Sequence, residues 1–293
     1  MANLRDIKKR ITSVKSTKQI TRTMEMVATA KIRRSTDRVN AATPYSKSML
    51  DVLASVAEHA DGLEHPLLQV HEEPKHALII TVVSDRGLAG GFNSNVLRHV
   101  EHFIAAKKGE GMDSDVIACG KKAGAYFNYR NIKPVMSFRD QSADPTMDQA
   151  RQIAGYVMDA YGKGEVDEVV VVYNHARNAA DQDLMCEKVL PIETSAFSNA
   201  SEDTAPVASF EFEPSPQEVL TQLLPAYVET RIYHALIDSA AAEQGARRKA
   251  MKSATDNATE MIETLTRGYN RARQGAITTE INEIVGGAAA LEG

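Results

Sequence analysis

The chain has 293 residues, is 43% hydrophobic and carries a formal net charge of −5, values that exclude disordered and collagen-like classes. No run approaches the ~18 consecutive apolar residues of a membrane-spanning helix, and MANLRDIKKRITSVK has charges where a secretion signal would have its apolar core, so a soluble protein that stays where it is made is expected. Cys119 and Cys186 form no CxxC pair and have no histidine cluster nearby, which points to reduced thiols in a cytoplasm, with neither a disulfide framework nor a zinc site.

The first segment, residues 1–60, is strongly basic. Residues 1–50 contain twelve Lys or Arg against three acids, a local balance of +9 that leaves −14 on the rest. Such asymmetry implies that this segment meets an anionic surface: nucleic acid, lipid head groups or an acidic protein. Asn3 can cap a helix that Asp6 supports, and Leu4, Ile7, Ile11 and Val14 follow at the spacing of a coiled-coil seam. The seam is expected to resume, shifted in phase, at Ile20, Met24 and Val27, and Pro44 should kink or split the helix. Residues 61–74, with Gly62, Pro66 and Pro74, read as a linker.

Residues 76–193 alternate short β-rich runs with helical ones. Strands are expected at Ala77 to Val83, Val116 to Cys119, Lys133 to Phe138 and Glu168 to Tyr173, with an edge strand at Leu184 to Leu190. Helices are expected at Asn93 to Lys108, Lys121 to Tyr129 and Thr146 to Tyr161, the last opened by Asp144 and Pro145. This order predicts a mostly parallel sheet with helices on its faces, a Rossmann-like α/β domain. Residues 194–214 are expected to be a loop, exposed or mobile from Thr194 to Val207, where Ser, Asn, Asp and Ala dominate.

The last segment, residues 215–293, opens on Ser215, Pro216 and Glu218, the N-cap, first helical position and N3 acid of a capping box. A heptad seam then runs through Ile237, Ala240, Gln244, Arg247, Met251, Ala254, Ala258, Met261, Leu265, Gly268, Ala272 and Gly275. Helices of about 58 and 70 residues would span roughly 87 and 105 Å, too long for a globular core. The economical arrangement is an antiparallel coiled coil attached to the central domain, with the terminal helix overshooting its partner by ~12 residues or more. Alanine and glycine in the seam bury little area, so the pair is expected to be narrow, to fit within a partner's bore or as a plain spacer.

Ser84 to Asn93, SDRGLAGGFN, follows a strand and opens a helix, where an α/β fold can bind phosphate. It lacks the ending of a P-loop and the spacing of GxGxxG, so a glycine-rich structural turn is the other reading. His99 and His102 have no HExxH context, no GxSxG elbow is present, and no acid pair stands apart. A catalytic constellation is not expected. An α/β nucleotide-binding enzyme with helical arms for oligomerisation and a nucleic-acid-binding coiled coil are the alternatives that periodicity and charge leave open.

Residues 7–31 (IKKRITSVKSTKQITRTMEMVATAK), 84–93, 251–258 (MKSATDNA) and 277–290 (ITTEINEIVGGAAA) resemble the gamma subunits of F-type ATP synthases, and the resemblance covers the whole chain. It implies a non-catalytic rotor shaft without cofactor or metal. The coiled coil would fill a hexamer of alternating alpha and beta subunits, and the α/β domain would contact epsilon and a membrane-embedded c ring. By the same resemblance, Arg273, Gln274, Thr278 and Glu280 engage a loop of a beta subunit, and Met24 faces a beta hinge region. Phe212 and Glu213 align with a segment near the ring, where relatives often have tyrosine at the first position. The lack of an inserted dithiol and of a transit peptide implies a bacterial member, peripheral on the cytoplasmic side of the cell inner membrane.

Overall fold

The computed structural model describes residues 4–59, 65–193, 213 and 215–292. Asn3 as a cap, the loop of residues 194–212 and Phe212 lie outside the described residues. The elements are α1 (Leu4–His59), β1 (His76–Val82), α2 (Phe92–Gly109), β2 (Asp113–Cys119), α3 (Lys121–Tyr129), β3 (Met136–Phe138), α4 (Met147–Gly162), β4 (Glu168–His175), β5 (Asp183–Leu190) and α5 (Pro216–Glu292). They fall into two compact units, one of Met1–Ala28 with Arg248–Gly293 and one of Thr29–Arg247.

In the larger unit a five-stranded sheet has the order β3-β2-β1-β4-β5, parallel except for the antiparallel edge strand β5. β1 and β4 sit at its centre, and their near-continuous burial explains their unbroken apolar runs. Alternate residues feed two cores. Ile79, Val116 and Val170 pack under α2 and α3 with Val96, Val100 and Phe127. Leu78, Ile80 and Val171 pack on the opposite face with Ile153 of α4, Leu53 of α1 and Leu224 of α5.

Several local expectations change. Thr146, rather than Asp144 and Pro145, opens α4, its hydroxyl accepting the Gln149 N–H at 3.3 Å. Ser215 does cap α5, accepting the Glu218 N–H at 3.3 Å. Pro44 does not split α1. Its ~3 kcal/mol penalty is offset within the same unit by the burial of Met49, Leu53 and Val56 from the following turns. Pro66 to Leu68 of the expected linker form a 3₁₀ turn that buries Leu67.

In the smaller unit α1 and α5 pair through a buried hydrogen bond between the Thr21 and Thr255 hydroxyls, 2.7 Å. Ala28 lies as far after Thr21 as Arg248 lies before Thr255, so the unit's own boundaries describe one antiparallel register. The seam differs from the expected one. On α1 it keeps a single phase through Leu4, Ile7, Ile11, Val14, Lys18, Thr21, Glu25 and Ala28, all buried or half-buried, while Ile20 and Val27 are 60% and 51% exposed. On α5 it runs through Met251, Thr255, Ala258, Ile262, Leu265, Tyr269, Ala272 and Ala276. Met261, Gly268 and Gly275 are exposed, and a Cβ at either glycine would meet nothing within 4 Å. The seam is therefore less glycine-rich than expected, with Ile262 and Tyr269 at two of its positions. A row of threes and fours can be drawn one residue aside at alternate steps, and apolarity selected the wrong member where the seam is polar.

Candidate functional site

Every described side chain from Ile277 to Ala288 is exposed. That stretch carries Ile277, Ile281, Ile284 and Val285, all 46% exposed or more. Their spacing of four, three and one places them on one stripe of the helix. At 100° per residue, that stripe lies about a third of a turn from the seam that ends at Ala276. It is thus a separate apolar face and not the coiled coil continued.

The polar residues expected at a partner interface flank this stripe. Arg273, Gln274, Thr278 and Glu280 are all exposed. Arg273, Ile277, Glu280 and Ile284 form one row, and Gln274, Thr278, Ile281 and Val285 the next. The Thr278 hydroxyl donates to the Gln274 carbonyl at 3.0 Å. Arg273 and Glu280 are two turns apart, about 10 Å along the axis, too far to neutralise each other directly. On α1, Met24 is half-buried between the exposed Ile20 and Val27. The phase shift legible in the sequence marks this outward stripe, on a helix whose basic residues are mostly exposed. Glu213 is exposed, and Phe212 lies outside the described residues.

The second candidate, SDRGLAGGFN, lies at the C-terminal end of β1. Ser84 N–H donates to Asn93 Oδ1 at 2.9 Å, and the Ser84 hydroxyl bonds the Arg86 carbonyl and Asn93 Oδ1. Gly90 has φ 58°, as a glycine turn requires, but Leu88 also adopts φ 63°, at some conformational cost. The Asp85 carboxylate accepts the N–H groups of Lys121 at 2.8 Å, Ser142 at 2.9 Å and Asp140 at 3.0 Å. An internal carboxylate thus takes the amide at the start of α3 that an anion would seek. Beside it, Ala242 and Ala246 of α5 pack on Ala89 and Phe92. The turn is thus bonded within the chain and covered by α5, while the start of α2, which it opens, carries no side-chain cap.

Burial pushes the Asp85 pKa up, but the bonds from Ser142, Lys121 and Asp140 outweigh it and hold the carboxyl below its ordinary 3.8. Its contribution to stability is therefore full above that ordinary value and is lost as pH falls through the depressed one. Asp85→Asn should destabilise the chain by about 1–2 kcal/mol at pH 7, the low end for a charged acceptor because the site is partly wet. Urea unfolding at pH 7 and at pH 3 checks this: the gap between wild type and variant should narrow in acid.

A cavity of about 330 Å³ opens between α1, β4, β5 and α5, lined by Leu50, Met185, His175, His234 and Thr230 among others. Several of its polar groups are paired. Tyr173 Oη donates to Glu187 at 2.8 Å, Arg231 donates to Glu187 at 2.7 Å, and His175 bonds Asp238 at 2.6 Å. Burial pushes the Tyr173 phenol pKa up, with the Glu187 charge adding to it. Cys119 is buried, its thiol pushed up to about 12 by burial, so it is no nucleophile. Among the described residues no three His, Cys, Asp or Glu side chains gather as a metal site.

Asp238, Glu243 and Arg247 of α5 are buried charged residues that sequence reasoning treated as seam or passed over. Their only signal was charge inside an alanine-rich stretch.

Residues 3–291 match the family model described as ATP synthase. The chain is 45% identical over 292 residues to the ATP synthase gamma chain of Desulforamulus reducens, covering 100% of both. It is 42% identical over 294 residues to that of Heliobacterium modesticaldum, covering 99% of this chain and 100% of the relative. In fold it is similar to a chain of the Euglena gracilis mitochondrial ATP synthase rotor, with a TM-score of 0.62 and 20% identity over 94% of this chain and 98% of that one.

Proposed function

The chain belongs to the family of ATP synthase gamma chains, and from that membership we propose how it works as the central rotor shaft of a proton-translocating F-type ATP synthase. It is a non-catalytic component that couples rotation of a c ring to the conformational cycle of catalytic beta subunits. The observation that carries the mechanism is the pair of outward apolar stripes, Ile277/Ile281/Ile284 on α5 and Ile20/Met24/Val27 on α1, each bordered by charged or polar groups.

A partner shifts a conformational equilibrium only by its unequal affinity for the states. A rod with chemically different sides, turned among three alpha and three beta subunits, meets each beta subunit with a different face and so favours a different state in each. Isoleucine and methionine surfaces suit contacts that must re-form at each angle, because dispersion is non-directional. Arg273, Gln274, Thr278 and Glu280 supply hydrogen bonds and ion pairs that favour particular angles. The +9 balance of residues 1–50 complements acidic subunit surfaces. Glu213, with Phe212, belongs to the end that meets the ring and epsilon.

Among the described residues no helix is long and apolar enough to cross a membrane. We place the complex on the cytoplasmic side of a bacterial inner membrane, with this chain attached through the c ring. The nucleotide-binding enzyme reading is disfavoured by α5 packing on the glycine-rich turn and by Asp85 already bonding the amide at the start of α3. Reconstitution tests the proposal. The purified chain alone should hydrolyse no ATP, and its addition to alpha and beta subunits should raise their turnover at least tenfold. ATP hydrolysis by the isolated chain, or no gain on mixing, would refute it.

A further inference from the structure

α5 is buried on every side from Ala235 to Arg247, more than three helical turns within the larger unit. This stretch lies where β1 and β4 end. In the order β3-β2-β1-β4-β5 the connections run one way from β1 and return on its other side at β4, so this is the crevice in which doubly wound sheets bind their ligands. The chain fills that crevice with its own helix.

Ala235, Ala240, Ala241, Ala242, Gly245 and Ala246 present almost no relief. From Ala240 onward, where Gln244 is the one large uncharged side chain, a nearly smooth rod in a sleeve can be accepted at neighbouring rotations with little difference in packing. Two charged side chains that bond the surrounding chain break that degeneracy. Asp238, 2% exposed, accepts the Ala176 N–H at 3.0 Å and bonds His175 at 2.6 Å. Arg247 donates to the Gly87 carbonyl at 3.2 Å and pairs with Glu243 at 2.7 Å. Gly245 lies against the Ala179 backbone, whose carbonyl oxygen would be 3.1 Å from an added Cβ. Glu243 lies on α5 itself; the other partners come from the end of β4 and from the loops after β1 and β4. Turning the helix to another setting would break the bonds of Asp238 and Arg247 to those partners, a penalty far larger than the packing difference.

We propose that this crevice is a keyed socket: Asp238 and Arg247, the latter aimed by Glu243, hold α5 at one rotational setting in the α/β unit, so that a turning moment on that unit passes into the helix without slip. The inference rests on the rotor reading. Buried charges here act as positioning residues that specify register, at no gain in net stability.

The test uses the assembled synthase complex in vesicles, with ATP hydrolysis and ATP-driven proton pumping measured on the same preparation. Glu243→Gln with Arg247→Met removes both members of the buried pair at similar volume, so neither charge is left alone. Hydrolysis should stay near wild type while protons pumped per ATP fall about threefold, as the Arg247–Gly87 anchor is lost, Asp238 is left as the one key, and packing is kept. A folding defect would instead lower both in proportion to the complex assembled. In a second variant, Ala179→Cys with Gly245→Cys, oxidation should lock the helix to the β4 loop. The locked complex should remain active and coupled, since no motion is needed at this joint, and the same lock should restore pumping in the E243Q/R247M background.

An unchanged pumping ratio in E243Q/R247M, or arrest of the otherwise wild-type complex by the lock, would overturn the socket. Should E243Q/R247M not assemble, the lock alone decides. The rotor reading is judged separately, because in this experiment it fails if the wild-type chain supports no pumping at all, whatever the variants do.

Discussion

Replacing Gly120 with alanine is expected to cost about 3–5 kcal/mol and to leave the α/β unit largely unfolded at 37 °C. Gly120 joins β2 to α3 with φ +104° and ψ 143°, a region essentially closed to residues with a Cβ. Its N–H donates to the Phe138 carbonyl at 2.9 Å, while Val83, just beyond β1, donates to the neighbouring Cys119 carbonyl at 3.0 Å. The turn therefore ties together the ends of three strands. A Cβ at position 120 would lie 2.2 Å from the Val83 carbonyl oxygen, a backbone atom that cannot swing away. Relief would require β1 or β2 to move, and both are interior strands of the sheet, buried at this end. Chemical denaturation of the purified chain, with Gly164→Ala for comparison, measures the effect. Gly164 also has positive φ, but an added Cβ there meets nothing, so about 1 kcal/mol of backbone strain is its whole penalty.

The largest functional effect is expected from I277S/I281S/I284S. In the isolated chain these side chains are exposed, so each substitution should change stability by less than about 0.5 kcal/mol. In the complex, an isoleucine that becomes buried is worth ~1.5–3 kcal/mol, and three together are worth several factors of ten in affinity. Turnover of the reconstituted alpha–beta–gamma complex should fall at least tenfold, with unfolding of the free chain unchanged. Arg273→Ala or Glu280→Ala removes only a partly solvated polar contact, about 1 kcal/mol, and should cost several-fold at most. If the triple serine variant assembles and turns over as wild type, this face of α5 is not an interface.

The comparison of these two sites separates what was readable from what was not. The runs ALIITV and EVVVVY announce strands covered on both faces, and Ser215, Pro216 and Glu218 announce the start of α5, because both signals are local and periodic. The coiled-coil register was less legible. Ile20, Met24 and Val27 repeat at seam spacing, but so do Lys18, Thr21, Glu25 and Ala28, and the second set is packed throughout while in the first only Met24 is half-buried. Apolarity marks a surface that wants a partner without saying whether that partner is the chain's own helix or another subunit. The Thr21–Thr255 hydrogen bond pairs two polar residues distant in sequence, and neither alone signals a core position.

Asp85 is a similar case. Read along the chain, it is an acid in a glycine-rich turn. Its role as the internal ligand for the Lys121, Asp140 and Ser142 amides exists only once β1, β2 and β3 lie side by side.

By itself the sequence determined the order of helices and strands, the mixed α/β class, the basic character of the first segment and the family, since these rest on local propensity, on periodicity and on motifs of fixed spacing. Tertiary structure decided which apolar rows are seam and which face outward, and that the crevice at the ends of β1 and β4 is filled by α5. The physical reason is that burial and hydrogen-bond satisfaction belong to pairs of segments, and no single stretch of chain contains its own partner.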